Sequence, residues 1–119
     1  DVNYKIRRLL KDRIYGSLKG LNKSENTVNL LGCSLEFCKQ HIENQFKDGM
    51  AWDNWGRGLG DKGMQEWHID HIRPCIMFDL SKPEEQKKCF HYTNLRPLWA
   101  KENISREKCY ISLFLCAKL

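Results

Sequence analysis

The 119-residue chain has no long apolar run. Nothing in it approaches the ~20 residues a membrane-spanning helix needs, and its most apolar stretch, Tyr110 to Leu119, is too short. It also has no cysteines in C-x-x-C spacing, although it carries six, at positions 33, 38, 75, 89, 109 and 116. That argues against a zinc knuckle. The scatter of these cysteines among helix-like segments favours reduced, mostly buried thiols of an intracellular protein over disulfides or a Cys-ligated zinc. Internal repeats and low-complexity tracts are lacking. No signal-peptide pattern is visible at the start, so the chain is expected to lie in the cytoplasm or nucleus of a host cell rather than to be secreted. Its opening at Asp1 without a methionine reads as a domain trimmed from something longer.

What is present describes one globular unit. Hydrophobic residues make up 41% and charged residues 29% of the chain, an ordinary composition for a domain with a single core. The net charge is +5, and it is unevenly placed. Lys5, Arg7, Arg8, Lys11, Arg13, Lys19 and Lys23 face only Asp12 within residues 4–23, while basic and acidic side chains balance over residues 24–119. Positive charge gathered in one segment is the footprint of contact with a polyanion, nucleic acid first among them.

Ile6, Leu9, Leu10, Ile14 and Leu18 recur at helical spacing, which predicts an amphipathic helix over residues 4–18 with Gly20 as its stop. Arg7, Arg8, Lys11 and Arg13 occupy its other faces and are expected to meet phosphate. A membrane-surface role would call for Trp or Phe on the apolar side, and there is none. A connector should span Asn22 to Asn29. Ser34 is placed to cap a second helix whose buried stripe is Leu35, Cys38, Ile42 and Phe46. Residues 49–63 hold five of the eight glycines and read as a loop anchored by Trp52 and Trp55, which could stack on bases but are expected to pack. Glu66–Ile72 is predicted as a first strand ended by Pro74. Ser81 and Pro83 open a short helix reaching Phe90. Thr93–Leu98 is a second strand with Pro97 in an edge position, and a helix bearing Asn103 follows.

The chemistry gathers in two blocks: Trp67-His68-Ile69-Asp70-His71-Ile72-Arg73-Pro74, then Asn94-Leu95-Arg96-Pro97-Leu98 with Asn103 nine residues after Asn94. Asp70 is a hard oxygen ligand suited to a divalent cation. His71 is the side chain best able to take a proton near neutral pH. Asn103 offers an amide oxygen that could complete a metal site and leave room for water and phosphate. These are the parts that metal-assisted phosphodiester hydrolysis uses.

The two blocks resemble the HNH nuclease family with its ββα-metal (His-Me) finger, of the type found in phages, large DNA viruses and mobile elements. The upstream run from Gly32-Cys33-Ser34 to Phe46-Lys47-Asp48-Gly49-Met50-Ala51-Trp52-Asp53-Asn54-Trp55-Gly56 is similar to the segment preceding that motif. The likeness covers about Gly32 to Lys108. It departs from the family at Arg96, where Gln is common, and from Cys109 onward. The resemblance implies an α+β fold: a small, mainly helical domain built around the finger. Residues 1–23 would be a basic helix, 24–119 the nuclease domain, and about 66–108 its finger core.

It further implies a DNA endonuclease, with RNA open as a substrate. Asp70 and Asn103 would hold one divalent metal, His71 would be the general base, and Asn94 would tie the loop between the strands. Mg²⁺ is the natural candidate, Mn²⁺ fits as well, and Zn²⁺ stays open if His68 joins the shell. His68 shares a strand face with Asp70, so contact with metal, contact with phosphate and simple packing remain three readings for it. His91 is expected to be structural. Arg73, Arg96 and Arg106, with Lys101, are candidates for neutralising phosphates. Products would carry 5′-phosphate and 3′-hydroxyl ends. A single site cuts one strand, so a monomer would nick, and double-strand cleavage would need a homodimer or two successive nicks.

Overall fold

Ile6, Leu10, Ile14 and Leu18 form the buried edge of a long first helix, α1 (Val2–Leu18), in the computed structural model, which describes residues 2–18, 20–56 and 66–106. The four residues serve two apolar clusters. Ile6 and Leu10 join Leu31, Cys38, Ile42, Met50, Trp55, Trp67, Ile69 and Leu95, while Ile14 and Leu18 join Leu30, Leu80, Cys89 and Phe90. One amphipathic helix thus spans both halves of the core. Gly20 follows it with a φ of 90°, consistent with the expected stop. The expectations for the remaining glycines of residues 57–63 and for the segment from 107 onward lie outside the described residues.

The connector is not wholly irregular, because Thr27–Leu31 forms a short helix, α2, capped by the Asn26 side chain. α2 ends at Gly32 (φ 72°), where an added Cβ would meet the His91 ring at 2.6 Å. Here glycine serves both the left-handed turn and the close approach. The third helix, α3 (Leu35–Glu43), begins where Ser34 Oγ accepts from Phe37 N–H. It stops before Phe46, which packs from the following turn instead. Trp52 and Trp55 resolve toward packing: with Phe46 and Trp67 they form an aromatic cluster in which Trp55 and Trp67 stack at 5.6 Å.

Strand β1 (Trp67–His71) pairs antiparallel with β2 (Leu95–Trp99), Asp70 opposite Arg96 and Ile69 opposite Pro97. Between them lie a 3₁₀ turn (Cys75–Met77), helix α4 (Pro83–Phe90) and a second 3₁₀ turn (Tyr92–Asn94). Pro83 opens α4 as expected, but Ser81 does not cap it. The Ser81 hydroxyl and N–H both turn back to Asp79, and Lys82 stands at the cap without a side-chain bond. β2 passes directly into a helical segment over residues 100–106. The architecture is α+β, helices around one two-stranded antiparallel sheet.

All five residues of β1 are buried. Polar and apolar residues alternate along the strand, yet both faces are covered, because Asn103 and Arg106 return from segment 100–106 onto the face of His68 and Asp70. Trp67 is fully buried among aromatic neighbours and donates its Nε1 to the Ala51 carbonyl at 2.6 Å. Trp67→Ala should therefore cost about 3–5 kcal/mol, read as a lowered urea midpoint. Tyr15→Ala, at a site 79% exposed, should leave the midpoint nearly unchanged.

Candidate catalytic and metal-binding site

Successive side chains of a strand point to opposite faces, so β1 sorts its polar residues into two sets. His68 and Asp70 face segment 100–106, and His71 shares the opposite face with Trp67 and Ile69.

On the first face the carboxylate of Asp70 is the focus. Arg106 Nη1 donates to both of its oxygens at 2.9 Å, and Arg96 Nε donates to Oδ2 at 3.0 Å. Arg106 also donates to the carbonyls of His71 (2.9 Å) and Ile72. One guanidinium therefore fixes the carboxylate and the exit of the strand together. Arg96 and Arg106, expected as candidates for neutralising phosphate, both turn inward onto Asp70. The reason is the cost of leaving a buried carboxylate unpaired. Two residues back, Asn103 Nδ2 donates to His68 Nδ1 at 3.0 Å, and Asn103 Oδ1 is buried with no hydrogen-bond partner among the described residues. His68 and Asp70 share a strand face, as strand alternation predicts, and Asn103 meets His68 there.

On the second face, His71 Nδ1 lies 3.6 Å from Cys75 Sγ, and its ring meets Phe90 edge-on. Cys89 Sγ is 3.3 Å from Cys75 Sγ. The ligand atoms of these three residues lie within 4.8 Å of one another, a His/Cys/Cys group able to hold a metal ion. Sequence spacing gave no hint of it. Cys75 and Cys89 are fourteen residues apart, and only the return of α4 brings them together. The thiols of Cys33, Cys38, Cys75 and Cys89 are all free; Cys109 and Cys116 lie outside the described residues.

Asn94 stitches this region. Its Oδ1 accepts from Arg73 N–H (2.8 Å), and its Nδ2 donates to the carbonyls of Arg73 (3.1 Å) and Cys89 (2.9 Å). It holds the loop after β1 against the end of α4. The Arg73 guanidinium sits over the Phe78 ring at 4.4 Å and donates to the Met77 carbonyl. His91, as expected, is structural: it accepts from Thr93 N–H and packs on Tyr92.

A cleft of about 760 Å³ runs between α1 and β1. Asp12, Arg13, Gly16 and Ser17 line it from the helix, and His68, Asp70, His71, Cys75 and Arg106 line it from the strand and its partners. Arg13 is half-buried there, its Nε without a hydrogen-bond partner among the described residues. Lys5, Arg7, Arg8 and Lys11 are exposed, and Arg8 approaches Asp12 at 4.0 Å. No helix among the described residues is long and apolar enough to cross a membrane.

No protein-family model matches the chain, and no solved structure does. It is 42% identical over 106 residues to the uncharacterized protein L246 of Acanthamoeba polyphaga mimivirus, an alignment covering 89% of this chain and 43% of that protein. It is 37% identical over 103 residues to the uncharacterized protein L426 of the same virus, covering 87% and 42%. The chain thus spans less than half the length of these viral relatives.

The thiols differ in chemistry. Hydrogen bonding from Cys89 first, then the His71 imidazole, holds Cys75 well below the ordinary thiol range despite its burial. Burial pushes Cys38 up to about 12. A depressed pKa keeps the reactive thiolate populated as pH falls. Iodoacetamide at pH 6 should therefore modify Cys75 before Cys33 and Cys38, as peptide mass spectrometry would read. Equal or reversed labelling would contradict the assigned environment of Cys75.

Proposed function

We propose that this chain is a metal-dependent DNA endonuclease of the HNH, or ββα-metal, type. What supports the reading is a β-hairpin followed by a helical segment that sets Asn103 against His68 on the Asp70 face of β1, with His68, Asp70 and His71 lining one cleft. The donor set suits a hard cation: Asp70 brings a carboxylate, and the buried Asn103 Oδ1 is an oxygen in want of a partner. Asp70 and Asn103, with His68 beside them, would hold Mg²⁺ or Mn²⁺. The bound cation would supply positive charge for the phosphate and the leaving 3′ oxygen.

The chain's own residues would do the rest. Arg96 and Arg106 already concentrate positive charge at Asp70, and an entering phosphate would compete for the same guanidiniums. With Nδ1 of His71 engaged by Cys75, Nε2 is the nitrogen left to take a proton from water. A hydrogen bond from Nδ1–H to the Cys75 thiolate would fix that tautomer. Asn94 is a positioning residue that anchors the loop behind the base. Exposed Arg7, Arg8 and Lys11 would meet the backbone of DNA beyond the cleft, and Arg13 would lie inside it. Such contacts carry no sequence information.

A second reading, a DNA-binding module without activity, draws support from the saturation of Asp70 by two arginines. Supercoiled plasmid separates the two. With Mg²⁺ or Mn²⁺ the wild type should give nicked circles, while EDTA should prevent nicking. His71→Ala should slow it by about 10²–10⁴-fold and still bind DNA. Wild-type protein that binds plasmid but nicks it with no divalent metal would overturn the nuclease reading. Replacing Arg7, Arg8 and Lys11 together with alanine should weaken binding across all sequences and flatten its salt dependence, as fluorescence anisotropy in graded salt would show.

A further inference from the structure

We propose that His71, Cys75 and Cys89 form a thiophilic metal site that takes Zn²⁺, with its fourth position open to the cleft. This site is chemically separate from the oxygen-rich one proposed on the other face of β1. Zinc bound by thiolate at ~2.3 Å and imidazole at ~2.0 Å in tetrahedral array places its ligand atoms roughly 3.5–3.8 Å apart. The observed separations are 3.6 Å for His71 Nδ1 to Cys75 Sγ and 3.3 Å for Cys75 Sγ to Cys89 Sγ. These two separations lie close to that array, and all three ligand atoms fall within 4.8 Å of one another.

The scaffold is already assembled. His71 ends β1, Cys75 begins the 3₁₀ turn after it, and Cys89 sits in the last turn of α4. Asn94 bonds both to Arg73, between the first two ligands, and to the carbonyl of the third. Cross-bracing of this kind orients ligands before a metal arrives. Two sulfurs and an imidazole select a soft ion such as Zn²⁺ against Mg²⁺. Among the described residues the group offers three protein ligands rather than four, the pattern of a site that retains an exchangeable position. His71 and Cys75 line the cleft and Cys89 closes the site from behind, so that position faces solvent.

Occupancy has a chemical consequence, which rests on the nuclease reading. An imidazole ligated through Nδ1 keeps its remaining proton on Nε2, the nitrogen proposed as base. Zinc would thus inhibit Mg²⁺-dependent nicking by removing the proton acceptor rather than by competing for Asp70.

The test uses the full, reduced chain and Co²⁺ as a spectroscopic probe, displaced afterwards by Zn²⁺. Wild type and Cys33→Ser should show thiolate-to-cobalt charge transfer and tetrahedral d–d bands, bleached by one equivalent of Zn²⁺. Cys75→Ser and Cys89→Ala should each bind Co²⁺ at least about 100-fold more weakly, since losing an outer-shell partner alone costs 10–100-fold. A wild type without charge transfer, or bands that persist in both variants, would overturn the site. In unmutated protein, Zn²⁺ but not Mg²⁺ should protect Cys75 from iodoacetamide, a readout that survives any folding defect in the variants. Failure of nicking in zinc-free protein would sink the nuclease reading and leave the binding result standing. Zinc binding that leaves nicking intact would refute the inhibition.

Discussion

A two-stranded sheet cannot hold itself together in water, and the chain meets this constraint by burying β1 on both faces. α1 and the aromatic cluster cover one side, and the segment after β2 covers the other. The strand nonetheless carries His68, Asp70 and His71. Polar groups taken out of water must find partners or cost several kcal/mol each. Much of the local structure follows from that demand. Two arginines converge on Asp70, an asparagine on His68 and a thiol on His71. The same burial that stabilises the hairpin gathers these reactive groups beside one cleft.

The alternation of the strand gives its two faces different chemistry. The Asp70 carboxylate, the Asn103 amide, the His68 ring and two guanidiniums occupy one, and two thiols with the His71 ring occupy the other. A hard cation and a soft one are accordingly expected to choose different faces, although their ligands are neighbours in sequence. Asp70 and His71 are adjacent residues, yet one faces Arg106 and the other Cys75. Asn94 belongs to neither set but braces both, since the loop it holds leads from β1 and the helix end it holds carries Cys89.

Local patterns in the sequence were legible wherever one residue's physics settles them. Leucine and isoleucine at helical spacing gave α1, Ser34 gave the start of α3, Pro83 gave the start of α4, and polar–apolar alternation over Glu66–Ile72 gave the first strand. The shared face of His68 and Asp70 followed from strand alternation, whereas Asn103 was placed near them only by the resemblance. What escaped depends on partners distant in the chain. Arg96 and Arg106 show their charge in the sequence but not that a buried carboxylate will claim them. Ser81 looks like a helix cap until Asp79, two residues away, captures its hydroxyl. The proximity of Cys75 and Cys89 exists only because α4 folds back, and no spacing rule encodes that return.

The central claim is that one buried strand presents two metal-binding faces of opposite character. Anomalous diffraction from crystals of the full chain, soaked in parallel with Mn²⁺ and with Zn²⁺, tests it most directly. The account predicts an Mn²⁺ peak beside Asp70 and Asn103, and a Zn²⁺ peak among His71, Cys75 and Cys89. Both ions at a single position, or neither ion near β1, would contradict it.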